Sequence, residues 1–154
     1  MSADSARAKK RRNTRARGND FQDRCAGYLT GDGYGVHNEK TVAKALLIKG
    51  RTIWTSQRND VFGAFDLVAA KAGEKPRFIQ VTLDSSVSKR VKEVNGIAWP
   101  LEHMTIELWQ GRDRGEVTVS VFDGTEFREA GRYLRGVFYR KELDLAMKTM
   151  GGQP

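Results

Sequence analysis

The chain has 154 residues, 39% of them hydrophobic, and its 27 Lys and Arg residues against 19 Asp and Glu residues give a net charge of +8. This length and composition suit one soluble domain with an ordinary core, and no apolar run approaches the roughly 18 residues that a membrane helix needs. The basic start is unlike a secretory leader and the single cysteine, Cys25, excludes an intramolecular disulfide, so we expect a cytoplasmic protein with no membrane partner.

Positive charge is concentrated in the first 17 residues, which hold seven basic residues and one acidic residue. A segment this basic with so few apolar residues cannot bury a core, so we predict that residues 1–17 form a disordered tail. Such a run binds phosphates by releasing their counterions, without sequence preference, although it could also serve only to keep the protein in solution. We favour nucleic-acid contact, with predicted contacts at Lys9, Lys10, Arg11, Arg12, Arg15 and Arg17.

A helix is predicted directly after the tail. Asn19 or Asp20 can cap it, and Gly31 can end it. Its apolar residues recur at helical spacing and would face the core, which makes the cysteine a core residue; they are Phe21, Cys25, Tyr28 and Leu29.

Strands follow this helix. Residues 34–37 predict a short first strand, whereas residues 39–49 either continue as a strand or form a short helix, because their periodicity fits both. Trp54, in the next run, could stack on an unpaired base or be a core or hairpin-edge residue.

A β-hairpin is predicted from two apolar runs, residues 65–70 and 78–82, that flank a Gly-Glu-Lys-Pro turn. Side chains alternate along a strand, so Gln80 and Thr82 project from one face of the hairpin. Asp66 enters the first strand at a point where it could meet them.

The second half of the chain predicts a helix, two strands and a helical end. Ser85 or Ser86 can cap a helix whose valines at 87, 91 and 94 share one face, and its other faces carry three candidate phosphate contacts, Lys89, Arg90 and Lys92. Residues 104–109 and 116–122 alternate as strands of one sheet, and residues 127–150 predict one or two helices.

The Asp66 strand followed by Gln80-Val-Thr82 resembles the PD-(D/E)XK nuclease superfamily, in which an Asp on one strand and Glu-x-Lys on the next build a magnesium site. Within it, the chain is most similar to archaeal- and phage-type Holliday junction resolvases, which begin with a basic residue, a glycine and a helix carrying Glu. Here Arg17-Gly18 begins that pattern and Gln22 takes the Glu position.

Two further positions contribute to the likeness, which covers roughly residues 17–95. Asp23 lies beside the predicted Glu position, and Ser56 falls where the resolvases carry a serine ahead of the aspartate. The resemblance implies an α/β fold of the restriction-endonuclease type, with a mixed central sheet flanked by helices. The nuclease-like core would span residues 18–109, and residues 110–154 would be a strand and helical extension of the same domain.

The resemblance also implies a Mg²⁺ or Mn²⁺ site held by Asp66, Gln80 and the Val81 carbonyl. Gln80 lacks the charge of the family's Glu, so a further carboxylate is expected from Asp60 above all, or from Asp23 or Glu39. Thr82 cannot supply the family's lysine charge. We expect Lys89 to take that role, with Arg90 as second choice.

The expected function is structure-selective, metal-dependent cleavage of branched DNA such as a Holliday junction. A homodimer is expected because two symmetric nicks need two sites, and no small-molecule cofactor is expected. One rival is a nuclease-like fold that binds branched or duplex DNA without cleaving it, as Gln80 and Thr82 would suggest. The other is an RNA-binding protein led by its arginine-rich tail. A phage-encoded chain would act in the host cytoplasm.

Overall fold

The computed structural model describes residues 3–40, 42–57, 60–83 and 87–141. The elements are α1 (Ala3–Gly31), β1 (Gly35–Asn38), β2 (Val42–Ile48), β3 (Arg51–Gln57), β4 (Leu67–Ala70), β5 (Arg77–Thr82), α2 (Val87–Asn95), β6 (Thr105–Gly111), a 3₁₀ turn (Asp113–Gly115), β7 (Val117–Phe122), β8 (Phe127–Leu134) and β9 (Val137–Arg140). Seven strands form one mixed sheet in the order β1-β4-β5-β6-β7-β8-β9, whereas β2 and β3 form a separate two-stranded ribbon. The predicted mixed α/β architecture is confirmed at this level.

Neighbouring strands of the sheet are antiparallel except at one place. β1, β4 and β5 are antiparallel neighbours, and so are the strands from β6 to β9, but β5 and β6 run parallel. Parallel neighbours need a crossover connection, and α2 lies in it. The predicted hairpin is confirmed as β4 and β5, with Leu67 opposite Ile79.

α1 covers one face of the sheet. Its buried side chains Phe21, Cys25 and Leu29 pack in one cluster with strand residues, which include Leu67, Ile79, Trp109, Val119 and Tyr133. The helical spacing of these α1 residues is what places them on one side of the helix. Successive strand residues point to opposite faces, so the remaining strand positions face away from α1.

α2 covers a second cluster on the opposite face. Val94 packs there with Phe65, Ile106, Phe122 and neighbouring aromatic rings. Phe78 joins this cluster while the next residue, Ile79, joins the first. The sheet is therefore a middle layer between two helices.

The predicted core position of Cys25 is confirmed, because the side chain is 0% exposed. Burial raises the pKa of its thiol to about 12. We expect iodoacetamide to leave Cys25 unmodified in the native protein even at pH 9, because little thiolate forms and the reagent has no access. Mass spectrometry should show modification only when urea is added, and labelling of the native protein would contradict this packing.

α1 begins earlier than the predicted caps at Asn19 and Asp20, which lie inside the helix. The preceding residues are mostly Ala, Lys and Arg, which have high helix propensity, so the backbone is helical back to Ala3. That residues 1–17 lack fixed structure in the absence of DNA stays a prediction. The predicted end of the helix at Gly31 is confirmed, and so is a strand close to residues 34–37.

The predicted helices after residue 127 are wrong for residues 127–140, which form β8 and β9. A two-residue turn at Arg135-Gly136, both with positive φ, joins these strands. The alternating burial of Gly131 and Tyr133, with Arg132 between them, matches strand periodicity and was hidden by the charged residues of this segment. Residues 142–150 and the predicted caps Ser85 and Ser86 lie outside the described residues.

The open choice for residues 39–49 is settled in favour of a strand, β2. The two strands predicted at 104–109 and 116–122 are confirmed as β6 and β7. Across the described ranges, no helix is both long enough and apolar enough to cross a membrane.

Candidate functional site

The site lies where β4 begins and β5 ends. Asp66 comes directly before β4, and its Oδ2 atom accepts hydrogen bonds from Gln80 Nε2 at 2.5 Å and from the Val81 main-chain N–H at 2.9 Å. Gln80 is 2% exposed and Thr82 is 8% exposed, so both side chains lie inside the protein. The predicted meeting of Asp66 and Gln80 is therefore present.

Gln80 makes an asymmetric set of contacts. Its Nε2 atom also donates to the Val81 carbonyl oxygen at 3.2 Å. Its Oε1 atom is buried and has no hydrogen-bond partner among the described residues. An unpaired buried carbonyl oxygen costs free energy, so this atom needs a functional explanation.

A second layer of polar side chains connects α1 to the site. Gln22 is 8% exposed, and its Nε2 atom donates to Asn38 Oδ1 at 2.8 Å, to the Glu39 carbonyl at 2.6 Å and to the Asp66 carbonyl at 3.3 Å. Gln22 thus ties the helix to the start of β4. The residue at the family's Glu position lies beside Asp66, but it binds the Asp66 main chain.

Asp23 turns towards β1 instead. Its carboxylate accepts from Asn38 Nδ2 at 2.8 Å and from Lys40 Nζ at 2.7 Å. The hydrogen bond from Lys40 keeps the pKa of Asp23 below its ordinary value, with a smaller contribution from Asn38. Asn38 and Lys40 were missed in the sequence, although both follow the predicted first strand, whose end had to meet α1.

The other predicted carboxylates have different surroundings. The Glu39 carboxylate lies 3.1 Å from His37 Nε2. Asp60 is half-buried at the start of the loop that leads to β4, and its carbonyl accepts from Gly63 N–H. Ser56 lies in β3, and its side chain is outside the described set. Of the predicted site residues, Asp66, Gln80 and Val81 are thus connected by direct hydrogen bonds. Gln22 is connected to them by its hydrogen bond to the Asp66 carbonyl.

Both helices carry exposed basic side chains. Arg17 and Arg24 line a groove of about 420 Å³ beside Leu83, the residue that follows β5. On α2, Lys89 and Lys92 are exposed, and the remaining basic residue, Arg90, lies 3.4 Å from Glu93. Such exposed cations suit phosphodiester contact. Arg15 is exposed as well, and the side chains of Lys9, Lys10, Arg11 and Arg12 lie outside the described set.

A second cavity, of about 310 Å³, lies at the opposite ends of β4 and β5. Lys71 and Arg77 line it, but both already have anionic or carbonyl partners: Lys71 bonds the Asp32 carbonyl, and Arg77 forms a buried pair with Glu107. Burial, with a hydrogen bond to Asp32, raises the pKa of Tyr133 in its wall. Because Lys71 and Arg77 already bind groups of the protein itself, this cavity is a weaker candidate than the Asp66 site.

The oxygen atoms around Asp66 suit a divalent cation if the side-chain amide of Gln80 turns by 180°. Oε1 would then replace Nε2, and the Asp66 carboxylate, the Gln80 amide and the Val81 carbonyl would supply the oxygen ligands that hard cations prefer. In the present orientation the Gln80 nitrogen donates to the other two oxygens. Within the described ranges, no group of three or more His, Cys, Asp or Glu side chains comes together. Binding would therefore depend on the Asp66 carboxylate together with the amide and carbonyl oxygens.

Comparisons of the chain with family models, with curated proteins and with solved structures gave no match. The contacts among this chain's own residues are therefore the evidence for its function. Three features of the described residues bear on function: the Asp66 and Gln80 pair, the polar layer from α1 behind it, and the exposed basic side chains of the two helices.

Proposed function

We propose that the protein is a metal-dependent endonuclease that acts on branched DNA. The observation that carries the proposal is the convergence of Asp66 Oδ2, the Gln80 amide and the Val81 carbonyl at one end of the sheet. The sequence resemblance selects these same three groups as the metal site. The exposed basic residues of the two helices, Arg17 and Arg24 on α1 and Lys89 and Lys92 on α2, suit a phosphodiester substrate.

Each residue has a distinct task in this proposal. Asp66 supplies the negative charge, and Gln80 with the Val81 carbonyl supplies neutral oxygens. A divalent cation bound by them would polarise the scissile phosphate and favour ionisation of the attacking water. Lys89 would orient that water and stabilise charge on the phosphate. Gln22 acts as a positioning residue, because its bond to the Asp66 carbonyl fixes the start of β4.

Cleavage of a labelled four-way junction tests the proposal. Mn²⁺ or Mg²⁺ should support cutting, EDTA should stop it, and a linear duplex of the same sequence should be cut more slowly. A homodimer should place two nicks symmetrically across the junction. Failure to cut any DNA in either metal, with the protein folded and DNA bound, would exclude the endonuclease.

A second candidate function is DNA binding without cleavage. The specific observation in its favour is that Gln80 Nε2 donates to the Asp66 and Val81 oxygens that a cation would use. In that case the amide substitutes permanently for the cation. Tight junction binding that neither Mn²⁺ nor EDTA changes would support it. Competition with structured RNA at one fixed salt concentration would separate either DNA function from RNA binding.

A Gln80→Glu variant tests the cation site without relying on activity. A carboxylate at position 80 adds the charge that the site lacks, so Mn²⁺ affinity should rise by about 10- to 100-fold. Electron paramagnetic resonance of free Mn²⁺ measures this directly. A Thr125→Glu variant adds the same charge in an exposed turn and should leave the affinity unchanged. No gain at position 80 would show that these groups do not form a cation site.

A further inference from the structure

We propose that the ribbon formed by β2 and β3 inserts between the bases at a branch point in DNA. The two strands form their own sheet, separate from the seven-stranded one. A lone two-stranded hairpin is at best marginally stable in water, so its form calls for a partner. Its exposed residues, its charge and its position identify that partner.

The ribbon is regular along its whole length. Its strands pair without interruption from Val42 opposite Gln57 to Ile48 opposite Arg51. Lys49 and Gly50 both have positive φ, as a tight two-residue hairpin turn requires. Seven residues per strand give a reach of about 23 Å at roughly 3.3 Å per residue, enough to extend well beyond the sheet.

Large apolar side chains cover both faces of the ribbon. Leu47 is 77% exposed and Trp54 is 72% exposed, and the strand register places them diagonally opposite each other on one face. Leu46 lies directly opposite Ile53 on the other face, and both are also exposed. A cluster of exposed apolar side chains marks an interaction site, and aromatic rings stack on unpaired bases.

The charge of the ribbon selects a polyanion as the partner. From residue 40 to residue 57 the sequence contains no Asp or Glu, and Lys49 and Arg51 are exposed at the tip. Two copies paired through their ribbons would bring like charges together, which disfavours a dimer at this surface. A nucleic acid offers phosphates to the basic residues and base faces to Trp54.

The position of the ribbon connects it to the candidate site. The chain enters the ribbon just after Asn38 and Lys40, which bond to Asp23, and it returns to Asp66. The base of the ribbon therefore lies towards the end of the sheet that carries Asp66, and DNA bound along the ribbon would approach that end. This inference rests on the proposed function, because it assigns recognition of the branch to β2 and β3 and the chemistry to Asp66 and Gln80.

A Leu47→Ala/Trp54→Ala double variant tests the inference. Base stacking by one aromatic side chain is worth about a 5- to 150-fold change in affinity, so junction binding should weaken within this range. Affinity for a linear duplex should change little, because phosphate contacts remain. The fluorescence of 2-aminopurine at the junction centre should rise with the unaltered protein and not with the variant, because insertion unstacks the base.

Tyr139→Ala is the matched control, since Tyr139 is an exposed aromatic residue of β9, at the edge of the main sheet. It should bind the junction like the unaltered protein. Equal junction affinity and equal 2-aminopurine signals for the double variant would overturn the inference. The inference would also be overturned if the double variant lost only its binding to anionic phospholipid vesicles, measured by flotation. The same holds if it lost only its self-association, measured by sedimentation. An Asp66→Asn variant that stops cutting but keeps the signal separates this inference from the proposed chemistry.

Discussion

An Asp66→Asn variant should cut a four-way junction at least about 10² to 10³ times more slowly, while binding the junction with nearly unchanged affinity. Asparagine keeps the shape of the side chain and an oxygen that can accept from Val81 N–H. It removes the single carboxylate charge that the structure places against Gln80. Single-turnover cleavage in Mn²⁺, together with electrophoretic binding measured in EDTA at one salt concentration, separates the two effects.

Asp123→Asn is the matched control for this change. Asp123 also accepts hydrogen bonds from backbone N–H groups, those of Thr125 and Glu126, but it lies in the turn between β7 and β8. Its replacement should leave cleavage intact. If Asp66→Asn loses junction binding together with cleavage, Asp66 is a structural residue and the proposed chemistry is wrong.

A Glu107→Ala variant should lower the free energy of unfolding by about 3–5 kcal/mol, the cost of breaking a buried ion pair. Glu107 is 3% exposed, and Arg77 donates two bonds of 2.7 Å to its carboxylate. Trp109 and Thr105 donate to the same carboxylate. The variant would leave the Arg77 charge buried without its anion. Urea unfolding followed by circular dichroism measures the loss.

Two further variants serve as controls for the stability of the Glu107→Ala variant. Replacing both partners, as Arg77→Met/Glu107→Leu, should recover much of the lost stability, because no unpaired charge is left in the core. Arg128→Ala breaks an exposed pair with Asp123, where Arg128 is 71% exposed, and should hardly move the urea midpoint. A Glu107→Ala variant as stable as the Arg128→Ala variant would contradict the buried pair.

Local patterns in the chain predicted most of the elements. Apolar spacing at Phe21, Cys25 and Leu29 indicated the buried face of α1, and alternation indicated the hairpin of β4 and β5. The pattern failed after Phe127, where basic residues between apolar ones resembled the polar face of a helix. Only pairing with β7 makes that segment a strand, and pairing is a long-range interaction that no local window contains.

The site was predicted in part. Asp66 and Gln80 were expected together because register and alternation in a hairpin fix which residues meet. The Val81 carbonyl was expected there only through the resemblance to the nuclease superfamily. Asn38 and Lys40 were missed, because their contacts with α1 depend on how the helix packs over β1. The direction in which Gln80 presents its amide also depends on neighbours that only the folded chain supplies.

Sequence by itself determined the quantities that depend on near neighbours along the chain: the concentration of basic charge, the hairpin, and the uncharged side chains of Gln80 and Thr82 on its second strand. Tertiary structure alone decided that Gln22 braces Asp66, that Glu107 neutralises Arg77 within the core, and that Trp54 extends from the molecule on a ribbon. The physical reason is that backbone propensity and side-chain alternation are local, whereas burial and pairing are set by residues that fold together from distant parts of the chain.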